Sequence, residues 1–156
     1  HDAHLIRLLF GMPTSLVTAG RMRGEVVEYC NTTFHFQDPS LVVSAVSGVI
    51  NQQGRPFTHG FEIHLEKATM HYEFAGFQDK GELMPLKILT ADGNVVRPEV
   101  GGGDPSEAFV GEIGEVVKCV EANRPSPTLS GDLARDAIIL CHKQTESVKS
   151  GGLVKI

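Results

Sequence analysis

Long apolar runs are missing from this chain. The most apolar stretch, at 41–45, falls far short of the roughly 20 residues that span a bilayer, which excludes a membrane crossing by helix. An excess of basic charge is missing too. Lysine and arginine number 14 against 19 aspartates and glutamates, a formal charge of -5, so no basic surface gathers phosphates and nucleic acid is excluded as the main partner. The three cysteines, Cys30, Cys119 and Cys141, show no C-x-x-C spacing and sit among apolar neighbours. They are expected as buried thiols in a reducing compartment, by default the cytoplasm, with a disulfide between two of them as the less favoured alternative. Gly101 to Gly103 lacks the Lys-Ser/Thr ending of a phosphate loop and the strand-turn-helix order of a dinucleotide fingerprint, and reads as a flexible connection. No G-x-S-x-G elbow occurs, so neither a nucleotide site nor an activated nucleophile is expected in this chain. Finally, nothing precedes His1: neither an initiator methionine nor a residue to cap the helix pattern that starts there. That opening, too short and charged for a secretory signal, predicts a fragment cut from a longer protein close to its reactive centre.

What is present is a 156-residue chain, 41% hydrophobic, enough for one domain with its own core. From Ser15 to about Val96 the rhythm is alternation broken by turns. In Phe61-Glu62-Ile63-His64-Leu65-Glu66 every second side chain is apolar, and the rhythm returns in Met70, Tyr72 and Phe74. Segments 15–23, 26–36, 41–50, 57–66, 69–75 and 83–90 read as strands, joined by turns too short for parallel crossovers. Two helices follow. One, at 106–123, gathers Phe109, Ile113, Val116, Val117 and Val120 on a stripe expected to lie on a sheet as core. The other is capped by Ser130, carries Asp132 in its first turn, aligns Ala134, Ala137, Ile138, Cys141, Thr145 and Val148, and ends at Gly151.

The fold class that accommodates these parts is α+β: an open, predominantly antiparallel sheet with helices packed on one face. Segment 41–50 is apolar on both sides, Leu41, Val43, Ala45 and Val49 against Val42, Val46 and Ile50, so the other face is expected to be used for oligomerisation.

Histidines dominate the candidate chemistry. His1 is competent as a general acid or base, because imidazole titrates near neutral pH and exchanges a proton with a substrate hydroxyl. With its free amine and His4 it also forms a candidate copper chelate, though no Cys or carboxylate stands at a recognised ligand spacing and no metal site is assigned. His64 shares a polar strand face with Glu62 and Glu66 and reads as solvated. His59 lies at a strand entry beside Arg55 and Pro56, where a side chain can reach a ligand.

The order of motifs resembles the C-terminal domain of the Gfo/Idh/MocA oxidoreductases, the family of glucose-fructose oxidoreductase and inositol dehydrogenase, over nearly all 156 residues. HDAHLIRLLFG is similar to the family's H-x-x-D-x-x-x-x-L-x-G helix. PFTHGFEIHLEKATMHYEF resembles its strand pair with a turn of the G-E-K-G-T kind. AFVGEIGEVVKCVEANRPSPTLSGDLARDAIILCHKQTESVKSGGLVKI resembles its closing helix, R-P turn, G-x-x-A-x-x-A helix and final short strand. The resemblance implies a single C-terminal domain, 1–156, for substrate contact and oligomerisation. Its parent enzyme would carry an N-terminal Rossmann domain that binds NAD or NADP and supplies a catalytic lysine; no cofactor-binding residue is expected here. It implies His1 as catalytic residue and a sugar- or polyol-like substrate; His4, Arg55 and His59 are the candidate substrate contacts, the last two from their place at the strand entry, and a dimer or tetramer through the sheet is expected from its apolar outer face. The chain departs from the family where His4 stands in place of an aspartate. A neutral imidazole accepts one hydrogen bond and lacks the two oxygens of a carboxylate, which points away from a simple polyol. Asp2 is read as a helix-start charge. Competing readings are a non-catalytic, sheet-mediated interaction module of the same fold and a secreted copper-binding domain using His1.

Overall fold

In the computed structural model, residues 1–100 and 106–156 are described, so the 101–105 connection lies outside the described residues. The element order is α1 (Asp2–Phe10), β1 (Ser15–Arg23), β2 (Val26–His35), β3 (Val43–Gly48), β4 (Phe57–His64), β5 (Ala68–Gly76), β6 (Gly81–Thr90), β7 (Val95–Val96), α2 (Ser106–Glu121), α3 (Gly131–Ser150) and β8 (Leu153–Lys155). The class is α+β, and the strands are shared between two four-stranded antiparallel sheets, β3-β2-β1-β8 and β4-β5-β6-β7. Two compact units result: His1–Val49 with Ser106–Ile156, and Ile50–Pro105.

In the first unit, the alternation of β2 sends Glu28, Cys30, Thr32 and Phe34 to one face. α3 lies on that face against β1, β2 and β8, and α1 packs against α3. The core is a cluster drawn from six elements: Ala3 and Ile6, Leu16, Phe34, Val43, Leu140 and Val154. β1 accepts α3 at close range because residue 20 is glycine. A Cβ there would stand 2.8 Å from the Tyr29 carbonyl oxygen and 2.9 Å from a Val148 methyl, both tighter than ordinary contact.

The ends of α3 follow the sequence reading. The Ser130 hydroxyl accepts from the Leu133 amide at 3.3 Å, and Gly151 takes the left-handed conformation with φ 70°, its amide donating to the Ser147 carbonyl. The face that α3 buries differs from the expected one. Leu133, Asp136, Leu140 and Ser147 point inward, whereas Ala134, Ile138 and Cys141 are exposed. The helix is rotated because its inward polar groups have partners. The Ser147 hydroxyl accepts from the Thr18 amide at 2.8 Å and donates to the Gly152 carbonyl at 2.5 Å. The Gln144 amide donates to Thr32 Oγ1 at 2.7 Å, which also meets Thr18 Oγ1 at 3.0 Å. Satisfied polar groups cost little to bury, so counting apolar residues alone misplaces the buried stripe.

Two further expectations are corrected. The α2 stripe is not core: Phe109, Ile113, Val116, Val117 and Val120 all stand exposed, and no strand or helix packs broadly against α2. All three cysteines are free, but only Cys30 and Cys119 are buried; Cys141 is exposed because α3 is turned as described. Burial pushes the Cys30 thiol above its ordinary pKa, which makes it a poor nucleophile. Val43 of β3 is buried while Val46 of the same strand and Val42 just before it are exposed, so the sheet face away from α1 and α3 is uncovered within the unit.

The second unit is a meander. β4 and β5 turn at 65–67, where the Leu65 amide donates to the Ala68 carbonyl at 2.8 Å. A bulge opposite Tyr72 interrupts the β5–β6 ladder, and the short β7, not anticipated from sequence, follows the Asp92-Gly93 turn. One face carries Phe57, His59, Phe61, Tyr72 and Phe74, cross-strand neighbours whose rings touch. The other carries Thr58, Glu62, His64, Thr69, His71 and Glu73.

Candidate functional site

The start of α1 gathers the densest chemistry of the first unit. Ala3 and Ile6 are the buried side of this helix, which leaves His1 and Asp2 exposed at its first turn. His1 occupies the N-cap with no side-chain cap bond, and its carbonyl accepts from the Leu5 amide at 2.9 Å. The imidazole is therefore free of structural duty. Asp2 adds negative charge at the helix N-terminus and accepts from the Ser47 hydroxyl of β3 at 2.8 Å, which ties the helix start to the sheet edge.

His4 sits one turn on and is half-buried. Its Nε2 lies 3.1 Å from the Thr128 carbonyl oxygen. A carbonyl only accepts, so Nε2 carries the hydrogen, and in the neutral ring Nδ1 is the acceptor left for a ligand. Thr128 belongs to the loop between α2 and α3. Asn123, in the left-handed region with φ 48°, turns the chain out of α2. The Ser126 hydroxyl accepts from the Thr128 and Leu129 amides and donates to Glu115 at 3.0 Å. The Cys119 thiol, Ser126 and Arg124 together hold the Glu115 carboxyl below the ordinary carboxylate range. An open concavity of about 520 Å3 borders this loop, lined by Val116, Cys119, Val120, Arg124, Ser126 and Leu129 among others.

The far end of α1 is anchored by charge. Arg7 Nε donates to Asp136 at 2.8 Å and Arg135 Nη2 reaches the other carboxylate oxygen at 2.8 Å. The Arg7 hydrogen bond, then that of Arg135, keeps the Asp136 carboxyl below its usual value. Sequence patterning missed this pair; its trace was an aspartate one position from the inward register of α3, with an arginine on the first helix.

The structure brings His1 and His4 together on one helix. Arg55 and His59 belong to the second unit. Arg55 is exposed in the turn that enters β4, its amide donating to the Gln52 carbonyl at 3.4 Å. The His59 ring lies among Phe57, Tyr72 and Phe74 at centroid distances of 5.3, 5.4 and 5.6 Å. His64 is exposed beside Glu62 and Thr69. Among the described residues no group of three or more His, Cys, Asp and Glu side chains converges as a metal cage. No helix among them is long and apolar enough to cross a membrane.

No protein-family model and no curated protein matches the sequence. Solved structures do match. Over 99% of this chain, an oxidoreductase from Agrobacterium radiobacter, solved in complex with NAD+, L-tartaric acid and magnesium, superimposes with a TM-score of 0.62 at 11% identity; the likeness covers 46% of that chain. A protein from Bacteroides fragilis NCTC 9343 described as an oxidoreductase gives 0.63 at 17% identity, covering all of this chain and 51% of its own. This chain shares the fold of half an oxidoreductase. It spans about half the length of the structures it matches, and at these identities the likeness speaks for fold.

Proposed function

We propose that the chain is the substrate-side domain of an NAD(P)-dependent oxidoreductase of the Gfo/Idh/MocA kind, acting on a small, hydroxyl-rich sugar- or polyol-like molecule. The observation that carries this reading is the full-length likeness to half of an oxidoreductase that holds NAD+ and a hydroxy acid. The residues at the start of α1 agree with it. A nicotinamide bound by the other half supplies the acceptor for the hydrogen on the substrate's carbinol carbon. This chain's own part is proton handling and orientation: an imidazole nitrogen of His1 takes the hydroxyl proton, and His4, its Nε2 held by Thr128, offers Nδ1 to a second hydroxyl. Arg55 and His59 are assigned ligand contacts in the second unit. The bound nucleotide belongs to the Rossmann half, and the cytoplasm is the assigned compartment.

Nucleotide titration tests this directly. By calorimetry the 156-residue chain is expected to bind neither NAD nor NADP, and the complete polypeptide is expected to bind one of them at micromolar strength. Micromolar binding to the short chain, or none to the complete one, would contradict the reading.

The same proposal assigns a second copy to the open sheet face of the first unit. Tyr29, Val46 and Leu153 stand 52, 56 and 56% exposed there, too much apolar surface on one sheet face to be left in water. Sedimentation is expected to show a dimer or tetramer, and Val46→Glu, at an exposed position that costs the fold little, is expected to shift it toward monomer. A wild-type monomer at high concentration would refute the assignment.

A further inference from the structure

α2 carries a broad apolar band, and among the described residues no strand or other helix of the first unit packs broadly against it. Phe109, Val110, Ile113, Val116, Val117 and Val120 are 48 to 74% exposed. Placed on a heptad they occupy d, e, a, d, e and a. That pattern is a band at least about 100° wide, the width by which a helix lies on a folded body, whereas a two-helix coiled coil uses the narrower a/d seam alone. The helix carries Glu107, Glu112, Glu115 and Glu121 against a single Lys118, so a second α2 brought against it meets like charge. Both features favour a different folded body over a second copy of the helix.

Its identity follows from size and position. The two matching oxidoreductases carry as much chain again beside the shared fold, which covers 46 and 51% of them. Position agrees: from the last turn of α2 the chain runs through Arg124-Pro125 to Ser126, which bonds Glu115 of α2, and to Thr128, whose carbonyl holds His4. A body seated on α2 therefore bears on the loop that orients His4, one turn from His1. We propose, resting on the function proposed above, that the α2 band is the seat of the nucleotide-binding half of the same polypeptide.

Hydrogen exchange of the complete polypeptide and of the 156-residue chain tests this. Amides at 109–120 are expected to exchange roughly tenfold or more slowly in the complete polypeptide, because docking removes the local opening available to an uncovered helix. Ile113→Asp with Val117→Asp in the complete polypeptide is expected to restore fast exchange there while the β1 and β2 amides keep their protection. Equal rates in the two chains overturn the proposal. So does loss of β1 and β2 protection in the variant, which would build the band into the unit itself. Protection in the short chain that rises with concentration and vanishes in the variant also overturns it, in favour of a second copy. Nucleotide titration of the same samples separates the two readings. Binding of NAD or NADP with an unprotected α2 refutes the docking and spares the function; a protected α2 with no nucleotide binding refutes the named occupant together with the function.

Discussion

On the proposed function, His1→Asn in the complete polypeptide is expected to lower kcat by about 10²- to 10⁴-fold, the usual worth of a positioned acid or base, with KM changed far less. Oxidation of an alcohol needs a neutral imidazole to receive the proton. The wild-type rate should therefore fall as pH drops and the imidazole takes up a proton, and the variant should lose that limb. The choice of asparagine separates chemistry from stability. His1 makes no side-chain cap bond, and asparagine is among the best N-cap residues, so the variant's α1 should hold as firmly as before or slightly better. A drop in rate then cannot be assigned to a frayed helix. A kcat within about threefold of wild type, with the acid limb intact, would remove His1 from the chemistry.

Which parts of the fold were legible in the sequence is a matter of which forces leave a local mark. Alternation is local, so six strands were placed to within a few residues of where they run, Phe57–His64 and Ala68–Gly76 among them. Capping is local too: Ser130 and Gly151 bound α3 as read. The buried face of a helix is not local. It depends on whether a polar side chain finds a partner far away in sequence, and Ser147 with Thr18, Gln144 with Thr32 and Asp136 with Arg7 all do. The α2 band shows the opposite failure. Its periodicity is that of a packed helix, yet periodicity announces only that a face wants cover, not which body provides it. The division of the strands into two sheets has a similar cause, since the polar 50–56 segment between β3 and β4 reads as an ordinary turn in sequence. The Thr128 carbonyl that holds His4 is a backbone group 124 residues away and leaves no signature in residue type.

The cluster behind α1 is where the fold and the candidate site are one object, and Phe34→Ala probes it. Phe34 is 2% exposed and is paired across the ladder with Leu16 on one side and Val43 on the other. Truncation is expected to cost about 3–5 kcal/mol, toward the upper part of that range, because strands pinned on both sides by hydrogen bonds cannot close on the void. Set against a total of about 5–15 kcal/mol for a natural domain, that is a large share. At roughly 2–4 °C per kcal/mol for a chain of this size, Tm should fall by about 6–20 °C. Phe34→Leu, which keeps most of the volume, should cost less than about 1.5 kcal/mol. Because Ala3 and Ile6 of α1 belong to the same cluster, exchange protection of the α1 amides should fall together with that of β1 and β2. A Tm for Phe34→Ala within about 3 °C of wild type would mean that the core tolerates a void where six elements meet, and the rigid seat of His1 would have to be sought elsewhere.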